Sequence, residues 1–396
     1  MFETLKPAPQ DKIIALIAEY AADERDGKID LGVGVYKDET GNTPIMTAVA
    51  KAEDRRVKEQ TTKTYVGMAG NVGFNNAMID LVLGDSISRD RVRGAQAPGG
   101  TGALRLIADL LNVAKPGATV YLSDPTWPNH VPLMSAAGLK TATYPYFDAE
   151  TGLVKFDELC AALEKMTADD IVLLHGCCHN PTGANLTDEQ WDKVVEIVQK
   201  TGTFVLVDIA YLGFGDGLEP DAYGVRKLAS TLPEMAVAAS CSKNFGLYRE
   251  RVGCAMIIGA NEEVANITFS QLLSAARANY SMPPDHGAEI VRIILNDEAL
   301  RKEWEDELTQ VRNHMVTIRE KLAEAMRQRS NSADFDFLAE HRGMFSLLGI
   351  SQDKVEQLKK DFGVYMVGNS RMNIAGLGMD KIEQFADALV KVTREG

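Results

Sequence analysis

From Thr101 to Tyr211 the chain alternates short apolar runs with amphipathic stretches, and this alternation restricts the fold more than any other feature. "TGALRLIADLLNVA" has helical spacing and "ATVYLSD" follows as a strand. "PNHVPLMSAAG" reads as helix, "TATYPYF" as strand and "FDELCAALEKM" as helix. "DIVLLHGC" and "FVLVDIAY" are further strands, separated by the capped helix "TDEQWDKVVEIVQKTG". Strands this apolar are buried on both faces, as when helices cover both sides of a mostly parallel sheet. The expected class is therefore α/β. In such sheets chemistry gathers at the carboxyl ends of the strands.

From Asn296 the texture changes. "DEALRKEWEDELTQVRNHMVTIREKLAEAMRQRS" is one long, charged helical stretch. "FDFLAEH" and "MFSLLGI" read as short strands, "SQDKVEQLKKDFG" as helix and "VYMVG" as strand before a terminal helix. The expected organisation is a large domain over residues 45–305. A smaller α+β domain is built from residues 1–44 and 306–396, with the long helix as the link.

The polar residues just after the strands form a chemically coherent set. "GGTGA" places Gly100 and Thr101 at a helix start, where backbone N–H groups attract an anion. "DPTWPNH" supplies Trp127 and His130, and "HGCCHNPTG" supplies Asn180. "VDIAY" supplies Asp208 and Tyr211, and "SCSKNFGLYRER" supplies Ser240, Ser242, Lys243 and Arg251. A lone lysine is usually a solvated one. Here apolar strands flank it ("EMAVAA" and "VGCAMIIG"), with serines and an arginine close by. One aromatic plane, one carboxylate ending an apolar strand, one phenol, one lysine and an anion nest suit a planar, phosphorylated nitrogen ring with an aldehyde. That description fits pyridoxal 5'-phosphate.

"HGCCH" also raises a zinc site. Neighbouring residues on a strand point to opposite faces, and no second ligand pair stands at zinc spacing, so no metal is expected. His175 and His179 read as structural.

The net charge of −14 argues against nucleic acid and anionic membranes as partners. No apolar stretch reaches spanning length. The five cysteines lack framework spacing, and "MFETLKPAPQDK" lacks the basic-then-apolar pattern of a signal peptide, so a cytoplasmic location is expected.

"SKNFGLYRERVG", "CCHNPTG", "DPTWPNH", "GVGVYKDETGN" followed by "TPIM", and "SRMNIAG" resemble the class I (subgroup Iα) aminotransferases, above all bacterial aspartate and aromatic-amino-acid enzymes. The resemblance spans essentially the whole chain. It implies the type I pyridoxal-phosphate fold, ping-pong transamination of small amino acids and oxo acids, and a homodimer with shared sites. It further implies that Lys243 carries the cofactor and moves the Cα proton, that Asp208 serves the ring nitrogen with His130 behind it, and that Tyr211 and Asn180 face the ring oxygen. Trp127 stacks on the ring. Arg251, Ser240, Ser242, Thr101 and Gly100 hold the phosphate, joined by Tyr65 from the other subunit. Arg371 would clamp the substrate α-carboxylate. Arg277 would reach across the dimer to a distal carboxylate, and Gly34 and Val35 would cover the substrate.

"YSMPP" departs from the aspartate-specific pattern by placing Met282 where Asn is usual. An adaptable apolar side chain suits a ring better than it orients a guanidinium. The expectation is dual specificity for aromatic (Tyr, Phe, Trp) and dicarboxylic (Asp, Glu) amino acids, with 2-oxoglutarate or another oxo acid as acceptor. The alternatives are a strict aspartate aminotransferase and a β-eliminating lyase.

Overall fold

A computed structural model describes residues 1–7 and 12–394. Its centre is a seven-stranded sheet. In chain order the strands are β1 (Val92–Pro98), β2 (Thr119–Asp124), β3 (Lys140–Pro145), β4 (Asp170–His175), β5 (Phe204–Ile209), β6 (Met235–Ser240) and β7 (Val252–Ile258). In space they run 1-7-6-5-4-2-3, and β7 alone is antiparallel to its neighbours.

The double burial expected from the sequence is realised by alternation along each strand. Leu206, Ala238 and Ala255 pack with Leu104 and Ile107 of the helix Gly99–Ala114 on one face, while Val205, Val207, Val237 and Met256 join the core on the other. Every residue of β6 and β7 is buried. This leaves the loops beyond the strand ends as the place where polar groups can gather.

Helix boundaries follow local chemistry. The helix Asp188–Thr201 opens with a capping box between Thr187 and Gln190 and closes at Gly202 in the left-handed region. The long helix Glu298–Ser330 starts where the Asp297 carboxylate accepts from the amides of Ala299 and Leu300.

The terminal segments meet. Ile29–Asp30 pairs in parallel with Val364–Tyr365, and Phe345–Leu347 pairs antiparallel with Arg371–Asn373. One expectation fails here. "FDFLAEH" forms a short helix, Phe337–Glu340, rather than a strand. Its Phe337 and Leu338 are both buried, which a strand covered on both faces would also allow, so burial does not separate the two readings. No helix among the described residues is long and apolar enough to cross a membrane.

Candidate active site

The carboxyl ends of β4, β5 and β6 lie side by side, and register places His175 beside Asp208. Around them a cavity of about 190 Å³ is lined by Gly100, Thr101, Trp127, Asn180, Asp208, Tyr211, Ser240, Ser242, Lys243 and Arg251. These ten residues were all singled out in the sequence. Leu104, His175, Cys177, Ala210 and Tyr248 complete the wall.

Lys243 follows β6 in a tight turn closed by the Gly246 amide on the Lys243 carbonyl, at 2.9 Å. The turn is anchored from below. The Trp304 indole donates to the Asn244 carbonyl at 2.7 Å, and Phe245 stacks on Trp304 with ring centroids 4.4 Å apart. The Lys243 ammonium sits 4.8 Å from the Tyr211 ring centroid. Burial pulls its pKa down to about 8, with Arg251 acting in the same direction and Asp208 opposing. A lysine so placed is a free amine for part of the time near neutral pH.

Asp208 is only 8% exposed. Burial opposes its ionisation. The His130 hydrogen bond, at 3.0 Å, and the nearby positive charges outweigh that, so the carboxyl stays below its ordinary value. An ionised carboxylate only accepts, so His130 Nε2 carries the proton and donates. Its Nδ1 is hydrogen-bonded to the Thr126 hydroxyl at 2.8 Å, and the same hydroxyl lies 3.3 Å from His175 Nε2. Burial pushes His175 down to about 3, so it stays neutral. The chain of hydrogen bonds thus presents one orientated negative charge to the cavity.

Opposite this charge lies an anion cup. It combines the N-terminus of the helix Gly99–Ala114 with Ser240, Ser242 and Arg251, whose guanidinium donates to the Ser242 hydroxyl at 3.2 Å. Gly99 is required there. Its φ is +73°, and a Cβ would come within 2.4 Å of the Arg251 guanidinium. At the rim, Asn180 Nδ2 donates to the Tyr211 hydroxyl at 3.4 Å, whereas its buried Oδ1 has no protein partner. Burial pushes the Tyr211 phenol well up. An anion cup, a lysine, a buried carboxylate and an orphaned amide oxygen around one cavity fit pyridoxal phosphate group by group.

Arg371 lies just outside the cavity and is 5% exposed. It donates to the Gly32 carbonyl at 2.9 Å, its Nε is unpartnered, and it lies 4.4 Å from the Phe345 ring centroid. Gly34 packs against the same ring. Asn373 holds the carbonyls of Val33 and Val35 at 2.6 and 2.8 Å.

Tyr65 and Arg277 are not brought to this cavity. Tyr65 is 88% exposed and shares a separate groove with Met282, and the exposed Arg277 donates to the Ser281 hydroxyl.

Two features escaped the sequence reading. Tyr248 lines the cavity, and its hydroxyl accepts from the Tyr36 amide at 3.2 Å, tying the segment beside Gly34 to the lysine loop. It stands five residues after Lys243, inside the stretch already marked. The argument from strand alternation also fails at Cys177 and Cys178. The strand ends at His175, and Cys178 turns at φ +50°, so both thiols and an Asp221 oxygen lie within 4.8 Å of one another. Asp221 is already bonded by the amides of Gly213, Gly215 and Asp216.

A mostly parallel sheet with a lysine, a carboxylate and a phosphate cup at its carboxyl edge defines a pyridoxal-phosphate enzyme of the type I fold. The model of aminotransferase class I and II matches residues 26–389. The aromatic-amino-acid aminotransferase of Paracoccus denitrificans is 51% identical over 99% of this chain and all of that protein. The aspartate aminotransferase of Salmonella typhi is 46% identical over 99% of this chain and all of its own. The solved aromatic-amino-acid aminotransferase of Burkholderia pseudomallei, covalently bound to pyridoxal phosphate, superposes with a TM-score of 0.96 at 40% identity, covering 99% of each chain. The chain belongs to the class I and II aminotransferases, and its cofactor is pyridoxal 5'-phosphate.

Proposed function

We propose that the enzyme accepts both aromatic and dicarboxylic amino acids and passes their amino group to 2-oxoglutarate or a related oxo acid. Pyridoxal phosphate, when bound, supplies an aldehyde that takes the amino group and a ring that draws electrons from the substrate Cα. Arg251, Ser240, Ser242, Thr101 and the Gly100 amide bind its phosphate. Asp208, kept ionised by His130, holds a proton at the ring nitrogen. Tyr211 and Asn180 orient the ring oxygen, and Trp127 supplies the aromatic wall. Lys243, with its pKa near 8, takes a proton from the substrate Cα and returns it one carbon away.

Arg371 pairs with the α-carboxylate common to all substrates, and Gly34 with Val35 closes over it. The partner subunit's Tyr65 and Arg277 complete the site in a homodimer. Residues 45–305 are read as the large domain, and 1–44 with 306–396 as the small one, supported by the pairing of Ile29–Asp30 with Val364–Tyr365. The five free thiols suit the cytoplasm.

The observation that carries dual specificity is the pairing of an exposed arginine, Arg277, with an apolar Met282 five residues on. One reads a second carboxylate and the other tolerates a ring. Retention of both arginines disfavours the eliminating alternative. A half-reaction panel tests the proposal by following cofactor absorbance as each amino acid is added. Phenylalanine, tyrosine, aspartate and glutamate should all convert the enzyme. Conversion by aspartate and glutamate alone would replace the proposal with strict dicarboxylate specificity, and ammonia release without an oxo-acid acceptor would replace it with elimination.

A further inference from the structure

Arg319 is the largest buried charge with no role in the reaction. It projects from the helix Glu298–Ser330 and is 1% exposed, and no carboxylate among the described residues shifts its pKa. Burial pulls its pKa down to about 9, with the Arg342 charge acting in the same direction. An uncompensated guanidinium is costly to bury; its Nε has no partner, and its two terminal nitrogens carry the hydrogen bonds. It donates to the Gly343 carbonyl at 2.8 Å, the Phe345 carbonyl at 2.7 Å, the Ser346 hydroxyl at 2.6 Å and the Leu338 carbonyl at 3.3 Å.

These four acceptors frame a single short strand, Phe345–Leu347. That strand pairs residue for residue with Arg371–Asn373. Its Phe345 ring lies 4.4 Å from the Arg371 guanidinium and 6.0 Å from the Tyr211 ring. The same strand docks on the loop that carries Asn180, because the Leu347 amide donates to the Thr182 carbonyl at 3.3 Å. His341 adds a second hold on Ser346, at 3.1 Å.

We infer that Arg319 is a positioning residue for recognition of the substrate α-carboxylate: it fixes the Phe345 strand that supports Arg371. Five N–H donors in a planar fork can bind several carbonyls of an irregular strand at once, which lysine cannot do. The inference rests on the reading of Arg371 as the carboxylate clamp. A small displacement of a positioning group weakens binding of the pieces it aligns without touching the proton chemistry at Lys243.

The test compares single-turnover half-reactions of phenylalanine and phenethylamine, which lacks the carboxylate, on the holoenzyme. Arg319→Met should lower the efficiency with phenylalanine roughly ten- to a hundredfold. The phenethylamine rate and the pH titration of the cofactor absorbance should stay unchanged. Arg319→Lys should restore only part of the loss. Ser346→Ala removes a single acceptor and should show a smaller loss in the same direction, which serves if Arg319→Met does not fold. Equal losses for both amines would mean that Arg319 only stabilises the fold, and no loss for either would mean that the strand needs no such anchor; both overturn the inference. Arg371→Ala is measured alongside. If it leaves the preference for phenylalanine intact, the clamp reading itself fails; if it abolishes the preference while Arg319→Met does not, only the positioning role fails.

Discussion

Inside the cavity Asp208, Asn180 and Tyr211 are 8%, 6% and 6% exposed, and Asp208 lies within, and Asn180 and Tyr211 just beyond, buried strands whose register is set by the core. On the Tyr65 and Arg277 surface the exposure is reversed: Tyr65 is 88% exposed, and the exposed Arg277 donates to the Ser281 hydroxyl just past its own helix. Both groups belong to one proposed site. The first is preorganised by a single chain, because burial makes every misplaced polar group costly and so leaves one arrangement. The second is little constrained by its own chain, which suits the proposal that another subunit covers it. The comparison teaches that a single chain fixes the groups proposed for proton transfer, whereas the proposed reader of a distal carboxylate is left at its surface.

The largest expected effect comes from the preorganised side. Lys243→Ala should abolish the covalent link to the cofactor and lower turnover by about 10²–10⁴-fold or more, since it removes the proton carrier. Borohydride trapping followed by peptide mapping, together with steady-state rates, checks this. Near-native turnover would break the comparison at its root.

The second effect is smaller and selective. Arg277→Ala should cost aspartate and glutamate roughly ten- to a hundredfold in kcat/KM while sparing phenylalanine and tyrosine, because it removes one charged hydrogen-bonded pair. Subunit exchange sharpens the point. Mixing Lys243→Ala with Arg277→Ala protein should restore aspartate turnover, since one heterodimer site regains a native lysine and a native arginine from different chains. Absence of recovery under proven exchange would return Arg277 to its own subunit.

The smallest effect is a shift in pH. In the cofactor-free protein Lys243 titrates near 8 rather than 10.5, and only its unprotonated amine attacks an aldehyde. Cofactor uptake should therefore rise with pH through a midpoint near 8 and level off about one pH unit above it. Asp208 raises this pKa, so Asp208→Asn should move the midpoint lower; Arg251 lowers it, so Arg251→Met should move it higher. Stopped-flow uptake across pH 6–10 reads both shifts, and a midpoint unmoved in both variants would show that burial alone sets the lysine.

Much of this was legible in the sequence. Continuous apolar runs marked the strands and a 3.6-residue period the helices, because both are local consequences of backbone geometry and burial. The same patterns placed Lys243, Asp208 and Asn180 at strand ends, where polar residues must face solvent or a ligand. The failure at Phe337–Glu340 has the same origin, since a few apolar residues in a row carry too short a pattern to separate a buried turn of helix from a strand. What the tertiary structure alone decided is which distant residues meet. The 1-7-6-5-4-2-3 strand order brings Asp208 beside His175 and puts His130 and Thr126 behind it. Tyr248 is joined to Tyr36 across 212 residues of sequence, and Arg319 closes on a strand 26 to 27 residues away. No local pattern encodes such pairings, because they follow from how the strands and helices pack together and not from the periodicity of any one of them.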